Sequence, residues 1–242
     1  MLFSLALWLF AESLAVSKAS TPHLALPFVP GKPIPTYSAE HMAPHLETLR
    51  SLYGRHKDIP KQYELEILVA LSHFPDLRDT RIKFVLKSRA PISSRPYIGT
   101  LFRAKKRRVY RIGISERDRF AGSPALLRNM SFNARIGALG HELAHTAWFE
   151  KKSFFQFFAI GFSFISRKWH RQFERQTDQR AIDYGLGWQL RDWAMEIRGG
   201  RYRDSPQSWL DRYYYSPEVI DAQMRAAPSY GSAPPPEEGS AK

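Results

Sequence analysis

The 242-residue chain contains no cysteine. It therefore has no disulfide framework, no thiol nucleophile and no cysteine-ligated zinc, so any metal must be held by histidine, carboxylate, hydroxyl or water ligands. Acidic residues are scarce, with 23 Asp and Glu against 36 Lys and Arg, and the net charge of +13 favours an anionic partner or simply a basic surface. The apolar segments Met1–Phe10 and Phe154–Ile165 are both too short to cross a bilayer comfortably.

The composition is that of a folded protein, with 43% hydrophobic and 14% aromatic residues. The N-terminal apolar segment resembles the core of a secretory signal, and small-x-small cleavage patterns follow it. We therefore expect residues 1–19 to be a signal peptide and the protein to be exported, to the periplasm or the extracellular space. No basic residue precedes the apolar core, so an uncleaved anchor and a buried N-terminal helix stay open as alternatives.

The remainder divides into three parts. Five prolines make residues 20–37 an extended lead-in, residues 38–225 form one domain, and residues 226–242 are a polar, disordered tail. Apolar periodicity and capping signals predict helices over the following segments: Ser38–Tyr53, Lys61–Phe74, Ser131–Phe149, Arg167–Tyr184, Trp188–Arg198 and Gln207–Met224, the last broken at Ser216-Pro217. Alternation predicts three strands, the last two forming a hairpin: Arg81–Lys87, Tyr97–Arg103 and Arg108–Ser115.

The most informative motif is His141-Glu142-Leu143-Ala144-His145, an HExxH pattern. It places two imidazoles one turn apart on one helix face, with the carboxylate of Glu142 beside the first. Gly137 and Gly140 are costly in a helix, but they allow neighbouring backbone to approach this site closely. The alternative is an exposed helix that carries incidental histidines.

A catalytic zinc site needs a third protein ligand. The extended HExxHxxGxxH pattern fails, because Trp148 and Lys151 occupy the Gly and third His positions. Glu174 and Asp178 lie four residues apart on a later helix, so one carboxylate can bind the metal while the other orients a ligand histidine. Glu174 is the preferred ligand, and His170 and Asp178 are alternatives. Ordinary salt bridges to nearby arginines would also account for both acids.

The HELAH sequence at 141–145 and the ERQTD sequence at 174–178 together resemble the gluzincin metallopeptidases, which combine HExxH with a later Glu-x-x-x-Asp. The 28 residues between His145 and Glu174 resemble the membrane-associated CAAX-processing and heat-shock protease type. The resemblance covers about residues 80–185. It implies His141, His145 and Glu174 as zinc ligands, Glu142 as the general base, and Asp178 as the group that orients a ligand.

These residue types support hydrolysis of a peptide or protein substrate. Zinc lowers the pKa of bound water from 15.7 towards about 7, and Glu142 accepts its proton and later delivers it to the leaving amine. A donor for the developing oxyanion is also needed. The candidates are Tyr184, Tyr213, Tyr214, Tyr215 and His170.

We therefore expect an α+β, zincin-like domain in which a small, mostly antiparallel sheet packs on the HExxH helix and a helical lobe follows. The strand Val109–Ser115 is expected at the sheet edge, where Gly113 would let an extended peptide pair with it. Two other functions stay open. One is a non-catalytic membrane-surface or structural protein with a vestigial metal site, and the other is a basic metalloprotease associated with nucleic acid.

The phenylalanine-rich segment Phe154–Ile165 has basic flanks, so it either contacts an anionic membrane or forms a buried connection between the ligand helices. The basic turn Lys105–Arg108 suits nucleic acid, but such turns are more often solvated, and export argues against that partner. The sequence leaves the oligomeric state undetermined.

Overall fold

A computed structural model describes residues 24–116, 125–157, 166–199 and 207–231. The predicted signal peptide at 1–19 lies outside these residues and stays a prediction. Within the described part of the chain, no helix is long and apolar enough to cross a membrane.

The helices are close to those predicted from periodicity. Their bounds are α1 Ala39–Met42, α2 Leu46–Tyr53, α3 Glu64–Ser72, α4 Phe132–Glu150, α5 Arg167–Asp183, α6 Gly187–Gly199, α7 Gln207–Tyr213 and α8 Pro217–Ala226. The hydroxyls of Ser131, Ser166 and Ser216 cap α4, α5 and α8, each accepting a backbone N–H of the first turn. The chain does break at Ser216-Pro217, as expected.

The sheet has four strands, β1 Lys57–Asp58, β2 Arg81–Val85, β3 Lys87–Pro96 and β4 Val109–Ser115, in the order β1-β2-β4-β3. The expectation of a mostly antiparallel sheet is wrong, because β1 pairs with β2 and β2 with β4 in parallel, and β3 alone runs antiparallel to its neighbour. A parallel pair needs a crossover connection, and α3 supplies it between β1 and β2. The protein is therefore a mixed α+β structure with an open sheet and a helical lobe.

The predicted hairpin and the predicted edge strand are also wrong. Residues 97–103 form turns around a 3-10 helix at Ile98–Thr100 and not a strand, and the antiparallel partner of β4 is β3. The Thr100 hydroxyl closes this connection by accepting the Val109 N–H at 3.0 Å and donating to the Tyr97 carbonyl at 2.9 Å. Strand β4 is paired on both sides and cannot receive a peptide, whereas β3 lies at the edge.

Helix α4 occupies the centre of the molecule. It contacts α3, α5 and α6 as well as β3. Gly137 makes the contact with α6 possible, because a Cβ atom there would lie 2.0 Å from the Gln189 carbonyl oxygen. The expectation that a glycine near the motif allows a neighbouring backbone to approach closely is therefore correct for Gly137. This close contact positions α6 beside the HExxH turn.

Both ends of the described chain pack on this helical lobe. In the lead-in, Phe28 and Tyr37 are buried, and the Tyr37 N–H donates to Asn133 of α4 at 3.0 Å. Residues 226–231, which the sequence analysis assigned to the disordered tail, are folded. Tyr230 is buried, and its hydroxyl accepts the Gly187 N–H and donates to the Ile182 carbonyl. Residues 232–242 lie outside the described part.

Substituting Gly137 tests the close approach of α4 and α6. We expect Gly137→Ala to lower the free energy of unfolding by about 2–3 kcal/mol, because the added methyl would force the α6 backbone away. Gly199→Ala is the matched control, since a Cβ there meets nothing within 4 Å, and it should change stability by less than about 0.5 kcal/mol. Urea denaturation measures both, and equal effects would contradict the packing role.

Candidate metal centre

The HExxH turn is buried in the middle of α4. His141, Glu142 and His145 are each more than nine-tenths buried, and Glu174 faces them from α5 with similar burial. Helix α4 presents both imidazoles on one side, as the i,i+4 spacing predicts. The four side chains that the sequence placed in one site therefore do come together.

Three of these side chains converge on one point. Glu174 Oε2 lies 3.1 Å from His141 Nε2 and 3.2 Å from His145 Nε2, and one ligand atom from each residue lies within 4.8 Å of the others. Two ligands of a tetrahedral zinc ion are about 3.4 Å apart when each lies about 2.0–2.1 Å from the metal. The three ligand atoms and their spacing therefore fit a metal ion. Among the described residues, this is the one cluster of three or more histidine or carboxylate side chains that could bind a metal.

Asp178 fixes the orientation of the first histidine. Its Oδ1 accepts the His141 Nδ1–H at 2.8 Å, while its Oδ2 accepts the Tyr215 backbone N–H at 2.7 Å. Because the Nδ1–H group of His141 donates a hydrogen bond to Asp178, Nε2 is the nitrogen that is available to a metal. The role expected for Asp178 therefore agrees with its position, and the link through Tyr215 to the segment between α7 and α8 was not foreseen.

Thr177 plays the corresponding part for the second histidine, and the sequence analysis missed it. Its hydroxyl accepts from His145 Nδ1 at 3.2 Å and donates to the Phe173 carbonyl at 2.9 Å. Arg180 donates to the same hydroxyl at 3.1 Å. Thr177 lies three residues after Glu174, on the same helix face, so the helical spacing could have identified it.

The two alternative third ligands lie beside the group rather than in it. His170 Nε2 contacts Glu174 Oε1 at 3.1 Å, so it holds the carboxylate oxygen that points away from the two ligand histidines. The hydrogen bond to Glu174 raises the pKa of His170, against a smaller opposing effect of burial. Both oxygens of Asp178 are already engaged.

The centre concentrates negative charge away from water, since Glu142, Glu174 and Asp178 are all more than nine-tenths buried. Burial lowers the pKa of His141, but Asp178 and Glu174 outweigh it and raise that pKa to about 10. Burial opposes ionisation of Glu174, yet the neighbouring histidines hold its pKa far below the usual range. The carboxylates around His141 therefore favour positive charge at this point, which a bound cation would also supply.

Glu142 differs from the other two acids because it keeps an unused oxygen. Its Oε2 is buried and has no hydrogen-bond partner within the described part of the chain. Burial raises the pKa of Glu142, while the two histidines and the Ser94 backbone N–H of β3 act in the opposite direction. A buried carboxylate oxygen without a partner is costly, so this atom is suited to bind a water or substrate proton.

Among the candidate tyrosines for the oxyanion donor, Tyr214 is the one whose ring packs against a ligand histidine. Its ring centroid is 5.6 Å from that of His141, and burial followed by the charges of Glu174 and Glu142 raises its pKa well above 10. The Tyr213 ring instead packs against His170 at an interplanar angle of 57°, and the Tyr184 hydroxyl donates to Asp76.

Comparisons of the chain with protein-family models, curated proteins and solved structures found no match. Its function is therefore inferred from its own sequence motifs and from the geometry of these side chains.

Metal content tests the centre directly. We expect the purified protein to bind about one equivalent of a divalent metal, and elemental analysis after dialysis would identify and count it. Glu174→Gln should abolish retention, Asp178→Asn should weaken it about 10–100-fold, and His170→Ala should retain the metal. The exposed residue His41 supplies the control variant His41→Ala. Loss in His170→Ala with retention in Glu174→Gln would make His170 the third ligand, and no metal in any folded protein would reject the site.

Proposed function

We propose that the protein is a zinc-dependent metallopeptidase that hydrolyses peptide bonds, with His141, His145 and Glu174 as ligands. The observation that carries the proposal is the convergence of three ligand atoms beside a buried carboxylate, Glu142, that has an unpartnered oxygen. Two histidines and one glutamate form an established open zinc site, in which the fourth position is left for water or substrate.

The donor set favours zinc over harder cations. Imidazole nitrogens suit zinc and other transition metals, whereas magnesium and calcium prefer sites built from oxygen ligands. Three buried carboxyl groups, those of Glu142, Glu174 and Asp178, lie close to this point, and buried charges are costly unless they are paired. A divalent cation at the ligand group would place positive charge beside them.

The residues of the chain divide the chemistry between them. Zinc, when bound, lowers the pKa of a water and polarises the substrate carbonyl. Glu142 accepts the proton of the attacking water and passes it to the leaving amine, so one carboxylate acts first as base and then as acid. Asp178 and Thr177 hold the two imidazoles through Nδ1, which leaves Nε2 to bind an ion, and His170 holds the second oxygen of Glu174.

The edge strand β3 is the proposed binding site for the substrate backbone, in place of β4. It lies at the end of the sheet, and its Ser94 hydroxyl contacts Thr146 of α4 at 2.8 Å, one residue after the HExxH motif. An extended peptide paired with this edge would pass directly along the catalytic turn. Such pairing recognises the backbone of a peptide and leaves side-chain preference to other parts of the surface.

A purely structural metal site is the competing function. It would explain the ligands but not Glu142, since a structural site has no use for an acid that keeps a buried oxygen unpaired. The resemblance of the two motifs to gluzincins, which rests on the same residues, also favours the catalytic function.

Replacing Glu142 separates these two functions. We expect Glu142→Gln to keep the metal and the melting temperature but to lose about 10²–10⁴-fold in kcat, because the amide preserves shape and cannot accept the proton. Cleavage of a denatured protein or a peptide library is the assay, with exposed Glu40→Gln as the control. Equal turnover by Glu142→Gln and the unmodified enzyme would reject Glu142 as the base.

Tyr214 is the proposed oxyanion donor, because its side chain lies beside His141 and near the charges of Glu142 and Glu174. Removal of one such donor costs about 10²–10³-fold in kcat with a small change in KM, and we expect this of Tyr214→Phe. Tyr184→Phe is the control, since that hydroxyl bonds Asp76 outside the centre. A kcat for Tyr214→Phe equal to that of the control would exclude the role.

A further inference from the structure

A group of apolar side chains lies exposed just beyond the end of β3. Ile98, Phe102 and Phe155 are 76%, 73% and 80% exposed, values unusual for such large apolar residues. Phe154 joins them, with its ring centroid 4.7 Å from that of Phe102 and 5.6 Å from that of Phe155. These four residues, here called the apolar patch, come from two separate segments of the chain.

The two segments are held in place by their own contacts. Thr100 ties the turn at 97–103 to β4 through its hydroxyl, as described above. In the other segment, Phe157 packs towards the core, with its ring 6.0 Å from Phe149 and 5.5 Å below the Arg108 guanidinium. Within residues 154–157 the aromatic side chains therefore divide, so that Phe157 anchors the segment and Phe155 faces outward. Residues 158–165 lie outside the described part.

Basic residues lie close to the patch along the chain. No Asp or Glu occurs between Asp79 and Glu116, a stretch that contains eleven Lys and Arg residues. The exposed cations that follow Phe102 directly are Arg103, Lys105, Lys106 and Arg107. Ile98 also lines a cleft of about 280 Å³, together with Arg95, Pro96, Tyr97, Gly99 and Arg111.

We propose that the apolar patch and the basic residues close to it dock the protein onto the surface of an anionic phospholipid bilayer. The three exposed side chains would enter the acyl boundary, while the basic residues contact the lipid phosphates and Arg95 and Arg111 receive a headgroup in their cleft. A membrane is favoured over nucleic acid because insertion would bury Ile98 together with the Phe rings, whereas base stacking would use the rings alone and leave Ile98 without a contact. The proposal does not rest on the metal centre.

Docking in this way has a consequence for the proposed peptidase. The turn that carries Ile98 follows directly from β3, whose Ser94 lies against the catalytic helix. The edge that would receive a peptide therefore runs from the metal centre towards the bilayer surface. Substrates held at that surface, or protein segments emerging from it, would reach the edge strand first.

Binding to lipid vesicles tests the proposal without any substrate, so its result is independent of the peptidase activity. The full chain should cosediment with vesicles of phosphatidylcholine and phosphatidylglycerol, bind pure phosphatidylcholine at least about tenfold more weakly, and lose affinity as salt rises. The double variant Phe102→Ser with Phe155→Ser should reduce partitioning about tenfold or more. Both rings are exposed, so the double variant should still fold, and circular dichroism would check its folding. Val29→Ser is the matched control, because Val29 is 63% exposed in another part of the chain.

Four results would overturn the proposal. They are equal binding to zwitterionic and anionic vesicles, unchanged binding by the folded double variant, tighter binding to single-stranded RNA that the same variant abolishes, and self-association in solution that the same variant abolishes. The last two would reassign the patch to nucleic acid or to a second copy of the chain. Lipids with brominated acyl chains quench Trp fluorescence at short range. Stronger quenching in a Phe102→Trp variant than in a Val29→Trp variant would show insertion at the patch itself.

Discussion

The imidazole of His141 is held on both sides by carboxylates from one helix. Asp178 contacts Nδ1 and Glu174 contacts Nε2. Because these acids are four residues apart, they contact the ring from successive turns of α5. Sliding α5 by one turn would remove both contacts at once. The same alignment places Glu174 against His145 and Thr177 against its other nitrogen, so the relative position of α4 and α5 determines the whole centre.

This alignment carries an electrostatic cost. The buried carboxylates of Glu174 and Asp178 are held by imidazoles, and removal of a partner would leave a buried charge without compensation. Burial lowers the pKa of His141, but Asp178 and Glu174 raise it by more, so the site favours positive charge. A bound cation would supply that charge, so we expect metal binding and the stability of the α4–α5 contact to be coupled.

The rest of the fold supports this pair of helices from the outside. Gly137 lets α6 approach α4, and Gly185, in the left-handed conformation at φ +86°, turns the chain from α5 into α6. Tyr230 bridges the two ends of that turn through its hydroxyl. On the opposite side, β3 lies at the edge of the sheet in the described part of the chain, contacts α4 and continues into the exposed turn of the apolar patch. Helix α4 is thus packed between the helical lobe and this edge strand.

Local patterns in the sequence determined the helices and the chemistry of the centre. The helix bounds follow from apolar periodicity and serine caps, and the choice of His141, His145, Glu174 and Asp178 follows from spacings of four residues within single helices. Such spacings are fixed by helix geometry and survive any tertiary arrangement. The confinement of any metal to histidine and carboxylate ligands likewise follows from the absence of cysteine.

Tertiary structure alone decided the sheet and the surroundings of the centre. Strand partners are chosen by contacts distant in sequence, so β4 reads locally like one arm of a hairpin but lies between β2 and β3. The segment that became β3, with its serines and prolines, shows no clear alternation, and its pairing depends on β4. Tyr230 looks like part of a polar tail until α5 and α6 provide partners for its hydroxyl. The Tyr215 amide reaches Asp178, and Phe102 meets Phe154, only because separate segments fold together, and no local pattern encodes those contacts.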